Sequence, residues 1–359
     1  MSLMNNFNDP RILDVSKKIF EEHFRLDPKL ENEMNQRRRK SMYDDIVYNI
    51  SYLLTSVYFK DVTIFKEYSI WVYELLCNLM KDLDRDRIME QMIDHFTIMQ
   101  TMIEDHLNTL LTREEIVIAK EHLDVGILAI QEAAENVEFS NNFTSGEYTE
   151  IRKAYLTALL MGKTKDAHQV IAQTKLNGIP LLDIYEKILA PTMHEIGELW
   201  HRSIITVDKE HYATSVTQNV MSTFYSEIFE SQRRNKTLLS CSVGNELHEM
   251  GVRMISDIFE YSGWDTYYLG AALPKDAVIK AIREHQPDVI ALSVTMQPFL
   301  KNCEELVYEI RKQFPDIKIA VGGQAFTSTN SLWEKWPIDH YSTSGEQLLL
   351  WANQTIEHG

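Results

Sequence analysis

The sequence predicts a multidomain α and α/β protein: an all-helical N-terminal domain (residues 1–145), a four-helix bundle (146–235) and a C-terminal α/β domain on a parallel sheet (236–359). Three observations carry this reading. The first region holds almost no glycine or proline and repeats its apolar residues at helical spacing. The second contains four further helical segments of bundle length. From Thr237 the period changes, and short β-rich runs alternate with amphipathic helices, the pattern of βα units. At 359 residues the chain is too long for one ordinary core.

In the first region, IVYNISYLLTSVYF and IWVYELLCNLM show the helical repeat, and Lys81-Asp82-Leu83-Asp84 reads as a surface turn. TREEIVIAKEHLDVGILAIQEAAENV reads as one long helix, with Thr112 and Glu115 at capping-box spacing. EFSNNFTSGEY (138–148) is polar and turn-rich and is expected to be a linker. The bundle helices are EYTEIRKAYLTALLMG, TKDAHQVIAQTKLNG, IPLLDIYEKILAPTMHEIGELWHR and TVDKEHYATSVTQNVMSTFYSEIFE, with Gly162 and Gly178 at helix stops. SQRRNK (231–236) is a second expected linker. Strands are expected at TLLSCSV, DTYYLG, DVIALSV, IKIAVGG and near HYSTS. Helices are expected over 249–262, 275–285 and 301–313, and from Glu346. Ligands of such sheets bind beyond the carboxyl ends of the strands, where His248, Ser293 and Gly322-Gly323 fall.

Composition narrows the function. With 36 Lys+Arg against 53 Asp+Glu, the net charge of −17 repels phosphate backbones, so direct nucleic-acid binding is not expected. Three scattered cysteines (Cys77, Cys241, Cys303) do not make a disulfide framework and suit a reducing compartment. MSLMNNFNDP lacks a secretory pattern, and no run approaches the roughly 18 apolar residues of a membrane span. A cytoplasmic protein without membrane association is expected.

The stretch CSVGNELHEMG places His248 on the turn after the first strand, with Glu246 two residues before it and Gly251 three after. Glu246-x-His248-x-x-Gly251, Ser293-x-Thr295 and Gly322-Gly323, each at a strand end, together resemble the cobalamin-binding domains related to methionine synthase. That family's Rossmann-like (flavodoxin-like) domain often carries a four-helix cap, and the likeness covers roughly 147–359. The resemblance implies His248 as the lower ligand of cobalt, oriented by Glu246. It implies a nucleotide tail passing the Ser293 hydroxyl and the glycine pair, where glycine permits close approach. Glu246 stands where the family has Asp, and Thr295 where it has Leu.

In the bundle, Trp200 is followed by nine residues and then Glu210-His211. This spacing resembles light-sensing adenosylcobalamin repressors. There the tryptophan roofs the upper face of the corrin, the Glu-His pair lies in the same pocket, and a histidine at the position of His201 takes the vacated cobalt site after photolysis. The N-terminal region has no convincing helix-turn-helix. DDIVYNISYLLTSVYFKDVTIFKEYSIWVYELL, with Tyr58, Phe59, Asp61, Phe65, Tyr68 and Trp71, resembles the globin-like segment of photocobilins, which hold cobalamin and a bilin such as biliverdin. The other reading is a helical sensor or dimerisation domain with those aromatics in its core. Arg37-Arg38-Arg39-Lys40 is either a site for bilin propionates or a solvated helix end. Cys77 is either a bilin attachment or a structural thiol.

The resemblance thus implies an adenosylcobalamin photoreceptor rather than an enzyme. It would be a homo-oligomer whose packing responds to light and which signals to a separate protein effector. The alternative is a corrinoid carrier for a methyltransferase system, although a tryptophan roof obstructs methyl exchange. A third reading is an interaction protein whose cofactor site has decayed.

Overall fold

The computed structural model describes residues 9–108, 110–135 and 142–357. It forms two compact units. The first comprises Met1–Glu138 with Met296–Lys301 and Ala325–Leu332; the second comprises Phe139–Thr295, Asn302–Gln324 and Trp333–Gly359.

The first unit is helical: α1 (Pro10–Leu26), the single turn α2 (Leu30–Glu33), α3 (Gln36–Phe59), α4 (Val62–Leu79), α5 (Arg85–His106) and α6 (Arg113–Glu135). Its starts are chemically marked. The side chains of Asp9, Asn35, Asp61 and Asp84 each accept a first-turn backbone N–H. At α6 the expected capping box forms in both directions: Glu115 accepts from the Thr112 N–H at 2.8 Å, and the Thr112 hydroxyl accepts from the Glu115 N–H at 3.3 Å. The turn at 81–84 is present. Ile46, Ile50, Leu53 and Val57 of α3 line one face and pack with Phe65 and Tyr68 of α4, Phe96 of α5 and Leu123 of α6. Gly126 lets α6 lie close on α4, since a Cβ there would stand 2.8 Å from Phe65 Cε1 and Ser69 Oγ.

The second unit opens with α7 (Thr149–Leu160) and α8 (Thr164–Leu176). A long helix follows in three parts, α9 (Leu181–Asp183), a π-helical stretch (Ile184–Leu189) and α10 (Ala190–His201), and then come α11 (Val207–Ser222) and the turn α12 (Tyr225–Ile228). The π-helical stretch has a local cause. Pro191 has no N–H to give to the Lys187 carbonyl. That carbonyl instead accepts the Arg152 guanidinium at 3.1 Å. Arg152 is buried and also donates to the carbonyls of Phe143, Ser145 and Glu147. Part of the stretch read as a linker, residues 143–147, is therefore pinned to the bundle; residues 136–141 lie outside the described residues. SQRRNK is pinned as well, because Arg234 N–H donates to Gly263 O at 2.8 Å and Arg233 Nη1 bonds the Trp264 carbonyl at 2.9 Å.

The chain then alternates β1 (Thr237–Ser242), α13 (Met250–Tyr261), β2 (Asp265–Tyr268), α14 (Lys275–His285), β3 (Val289–Ser293), α15 (Leu300–Gln313), β4 (Lys318–Gly322), the turn α16 (Gln324–Thr327), β5 (His340–Ser342) and α17 (Gly345–Glu357). The five strands are all parallel, in the order β2-β1-β3-β4-β5. Sequence order reverses between β1 and β3, and this is the switch point at which such sheets bind ligands. Met254 and Ile258 of α13 are buried in the bundle core with Ile184, Ile188 and Val220, so cap and sheet domain share a core. No described helix is long and apolar enough to cross a membrane.

Candidate functional site

The sheet register assembles the strand-end motifs. Ser242, Ser293, Gly322 and Ser342 are successive partners across β1, β3, β4 and β5. Beyond β1 the chain turns through Gly244 at φ +88 and runs as a loop to α13. The Ser242 hydroxyl donates to the His248 carbonyl at 2.7 Å and fixes the loop against its strand.

Glu246 is turned inward, with its side chain fully buried, whereas the His248 side chain is 49 % exposed. Oε1 of Glu246 accepts the Thr295 N–H at 2.8 Å, and Oε2 stands 3.7 Å from Nδ1 of His248. A carboxylate so placed favours a proton on Nδ1 and leaves the Nε2 lone pair facing outward. The space above Gly251, at the first turn of α13, is open: a Cβ there would meet nothing within 4 Å. One outward imidazole nitrogen beside an open floor suits a planar macrocycle that supplies the rest of its metal's ligands. No cluster of three metal-binding side chains occurs among the described residues.

Three expected contacts take a different form. Thr295 enters the site through its backbone N–H, as the partner of Glu246. Gly322 is required by the protein itself, since a Cβ would fall 2.6 Å from the Ser342 carbonyl. Gly323 has φ +101, and a Cβ there would fall 2.2 Å from the Val294 carbonyl. The glycine pair thus has a packing reason that no ligand need explain.

The cap residues lie at the α10–α11 connection. Trp200, in the last turn of α10, packs partly buried on the bundle core. His201 is 7 % exposed. Glu210 sits in the first turn of α11, where it accepts the Thr214 hydroxyl at 3.2 Å and lies 3.4 Å from the exposed ring of His211. Burial holds the His194 imidazole, two turns before His201 on the same helix, below its ordinary value.

A polar ladder between cap and α13 was not visible in the sequence. Tyr185 OH donates to Asp257 at 2.9 Å, and Arg253 donates to Tyr225 OH at 2.8 Å. Burial pushes the Asp257 carboxyl up to about 6. The available signal was Arg253 and Asp257 at i, i+4 spacing in a largely apolar helix.

In the helical unit, Phe65 and Tyr68 belong to the core, while Tyr58 and Trp71 are 45 % and 42 % exposed. Arg39 is engaged locally, donating to the Met34 and Glu31 carbonyls and lying over the Phe24 ring. Cys77 is half-buried with its thiol raised, chiefly by burial, which disfavours the reactive thiolate.

Two family models match, each described as a B12 binding domain, over residues 151–225 and 236–346. The chain is 26 % identical over 163 residues to the HTH-type transcriptional repressor CarH of Myxococcus xanthus, covering 45 % of this chain and 53 % of the repressor. The match thus spans about half of that relative's length. It is 19 % identical over 196 residues to dimethylamine corrinoid protein 1 of Methanosarcina acetivorans, covering 54 % of this chain and 91 % of that protein. Among solved structures, the monomethylamine corrinoid protein of Methanosarcina barkeri superposes with a TM-score of 0.51 at 16 % identity, covering 58 % of this chain and 99 % of that one, which shows a shared fold. Over these two segments, a helical cap followed by a parallel-sheet domain, the chain matches B12 binding domains, and the match supports a cobalamin cofactor.

Proposed function

We propose that this protein is an adenosylcobalamin photoreceptor. The observation that carries the reading is the pairing of Trp200-His201 with Glu210-His211 across one tight connection of the cap, in a chain similar to CarH. Bound adenosylcobalamin supplies a cobalt–carbon bond that visible light breaks. His248 would be the protein's ligand to the metal, with Glu246 orienting its ring and Gly251 leaving room for the macrocycle. The Ser293 hydroxyl and the backbone at Thr295, Gly322 and Gly323 line the strand-end channel for the nucleotide tail. Trp200, Glu210 and His211 would cover the face away from His248. His201 would be the replacement ligand, and because it is buried, the last turn of α10 would have to yield for its ring to reach the metal. Such a movement would turn a local ligand change into a two-state change in cap packing.

The output in this reading is non-enzymatic: a light-dependent change in homo-oligomer assembly, read by a protein effector. Three free cysteines suit a reducing cytoplasm. A bilin beside the exposed Tyr58 and Trp71 would make the helical unit a second chromophore domain.

Protein reconstituted with adenosylcobalamin in darkness is expected to change its absorption spectrum and its size-exclusion profile after green light. If neither changes, the reading fails. His201→Ala should still photolyse but lose the stable product with histidine on both faces. A blue-green band in the purified protein would report the bilin.

The second reading is a corrinoid carrier in methyl transfer, favoured by the similarity to the dimethylamine corrinoid protein. It requires methylcobalamin to bind productively and exchange its methyl group with a partner methyltransferase. Preference for the adenosyl form counts against it.

A further inference from the structure

The first compact unit contains two short segments from far down the chain, Met296–Lys301 and Ala325–Leu332. Each directly follows a strand-end motif. Met296 is the residue after Thr295, whose N–H holds Glu246. Ala325 comes two residues after Gly323. Within the unit both segments meet the corner between α3 and α4. The short helical turn at Gln297–Phe299 packs against α3, and Lys301 Nζ lies 4.6 Å from the centre of the Tyr58 ring.

Asp61 is the hub of this corner. It is 5 % exposed. Its backbone N–H donates to Ser56 O at 2.9 Å, closing the left-handed turn at Lys60. One carboxylate oxygen accepts the Thr63 N–H at 3.1 Å and starts α4. The other accepts the Asn330 N–H at 2.7 Å. Ordinary capping uses the first of these bonds only; the second spends the remaining oxygen on a backbone group 269 positions away. A buried carboxylate bonded to two backbone N–H groups is a strong, directional tie. Behind it, Ser56 Oγ lies 2.9 Å from Nδ1 of the buried His122, which extends the polar contact to α6.

We propose that Asp61 is a positioning residue that transmits the state of the cobalamin site to the α3–α4 corner through the segment 325–332, assisted by Lys301 on Tyr58. The proposal rests on cobalamin binding at His248 and adds the route by which the helical unit senses it. A ligand that orders the backbone after Gly322-Gly323 orders Asn330, and Asn330 is bonded to the residue that starts α4. Without the Asp61 carboxylate the segment still responds to ligand, but the corner no longer follows.

The test is hydrogen–deuterium exchange on the full chain, without ligand and loaded with adenosylcobalamin in darkness, with corrinoid retention checked by absorbance after desalting. Without ligand, Asp61→Ala should raise exchange of 325–332 several-fold. On loading, the natural chain should gain protection both at 325–332 and at 52–66. Asp61→Ala should gain it only at 325–332. Asp61→Asn keeps one amide oxygen as acceptor and should restore part of the response, which also separates lost coupling from a folding defect. Retained corrinoid with no change at 52–66 in the natural chain overturns this inference and leaves the cobalamin reading standing, as does a full response in Asp61→Ala. Failure to retain corrinoid overturns both.

Discussion

The buried carboxylate of Glu246 is hydrogen-bonded to the backbone N–H of Thr295 at 2.8 Å, across the switch point between the first and third strands. Its other oxygen faces Nδ1 of His248. One side chain therefore ties the two strand-end loops together and orients the imidazole.

Replacement of Glu246 by Gln and by Ala should separate these two jobs. The amide oxygen of Gln can keep the Thr295 bond, but its NH2 would then face Nδ1 and favour the proton on Nε2. Corrinoid affinity, measured by absorbance titration, is expected to fall about 10–100-fold with little loss of thermal stability. Ala leaves a buried backbone N–H unsatisfied and should cost about 1–3 kcal/mol as well.

Gly323→Ala should destabilise the sheet domain whether or not cobalamin is present. The position combines φ +101 with a Cβ site 2.2 Å from the Val294 carbonyl. Left-handed strain alone costs about 1–2 kcal/mol for a residue with a Cβ, and the clash adds to it. Calorimetry of the ligand-free protein should show the loss; an unchanged melting temperature would contradict the geometry.

Asp45 on α3 should give the helical unit a distinctive pH dependence. Burial, with the nearby Asp44 charge, pushes its carboxyl from 3.8 up to about 7. Between those values the folded chain holds a proton that the unfolded chain releases. The contribution is thus fully present below 3.8 and is lost as pH rises through about 7. Asp45→Asn should match the natural chain near pH 4 and exceed it by roughly 2 kcal/mol at pH 8, discounting for partial exposure. His95 slopes the other way. It is held neutral by burial, down to about 3, between His23 and Asn49. Its contribution is present above 6.5 and lost as pH falls towards 3, so the substitution should expose an acid lability that Asp45 offsets.

Arg152→Ala should destabilise the cap by about 1–3 kcal/mol, the cost of leaving buried carbonyls without a donor. It should also raise proteolysis at residues 143–147, where the guanidinium gathers the Phe143, Ser145 and Glu147 carbonyls. Arg152→Lys should not rescue, because a point charge cannot reach the Phe143, Ser145 and Lys187 carbonyls together. Limited proteolysis with mass spectrometry checks both variants.

Much of this molecule is written in local chemistry. Helical spacing placed α3, α4 and α6, Thr112 and Glu115 marked a start that forms as a capping box, and the alternation from Thr237 onward gave five strands within a residue or two of their positions. The motif at Glu246-x-His248-x-x-Gly251 was legible because ligand chemistry and turn geometry both act over a few residues. What only tertiary structure decided is whatever one residue does to another far along the chain. Glu246 finds the Thr295 N–H, Arg152 takes the carbonyl that Pro191 leaves unbonded, Tyr185 finds Asp257, and Asp61 finds Asn330. The reason is physical. Periodicity and capping depend on neighbours whose geometry is fixed by the backbone, so they leave a pattern in the sequence. A buried backbone group satisfied by a distant side chain leaves none, because any polar residue that folding brings within about 3 Å can meet the need.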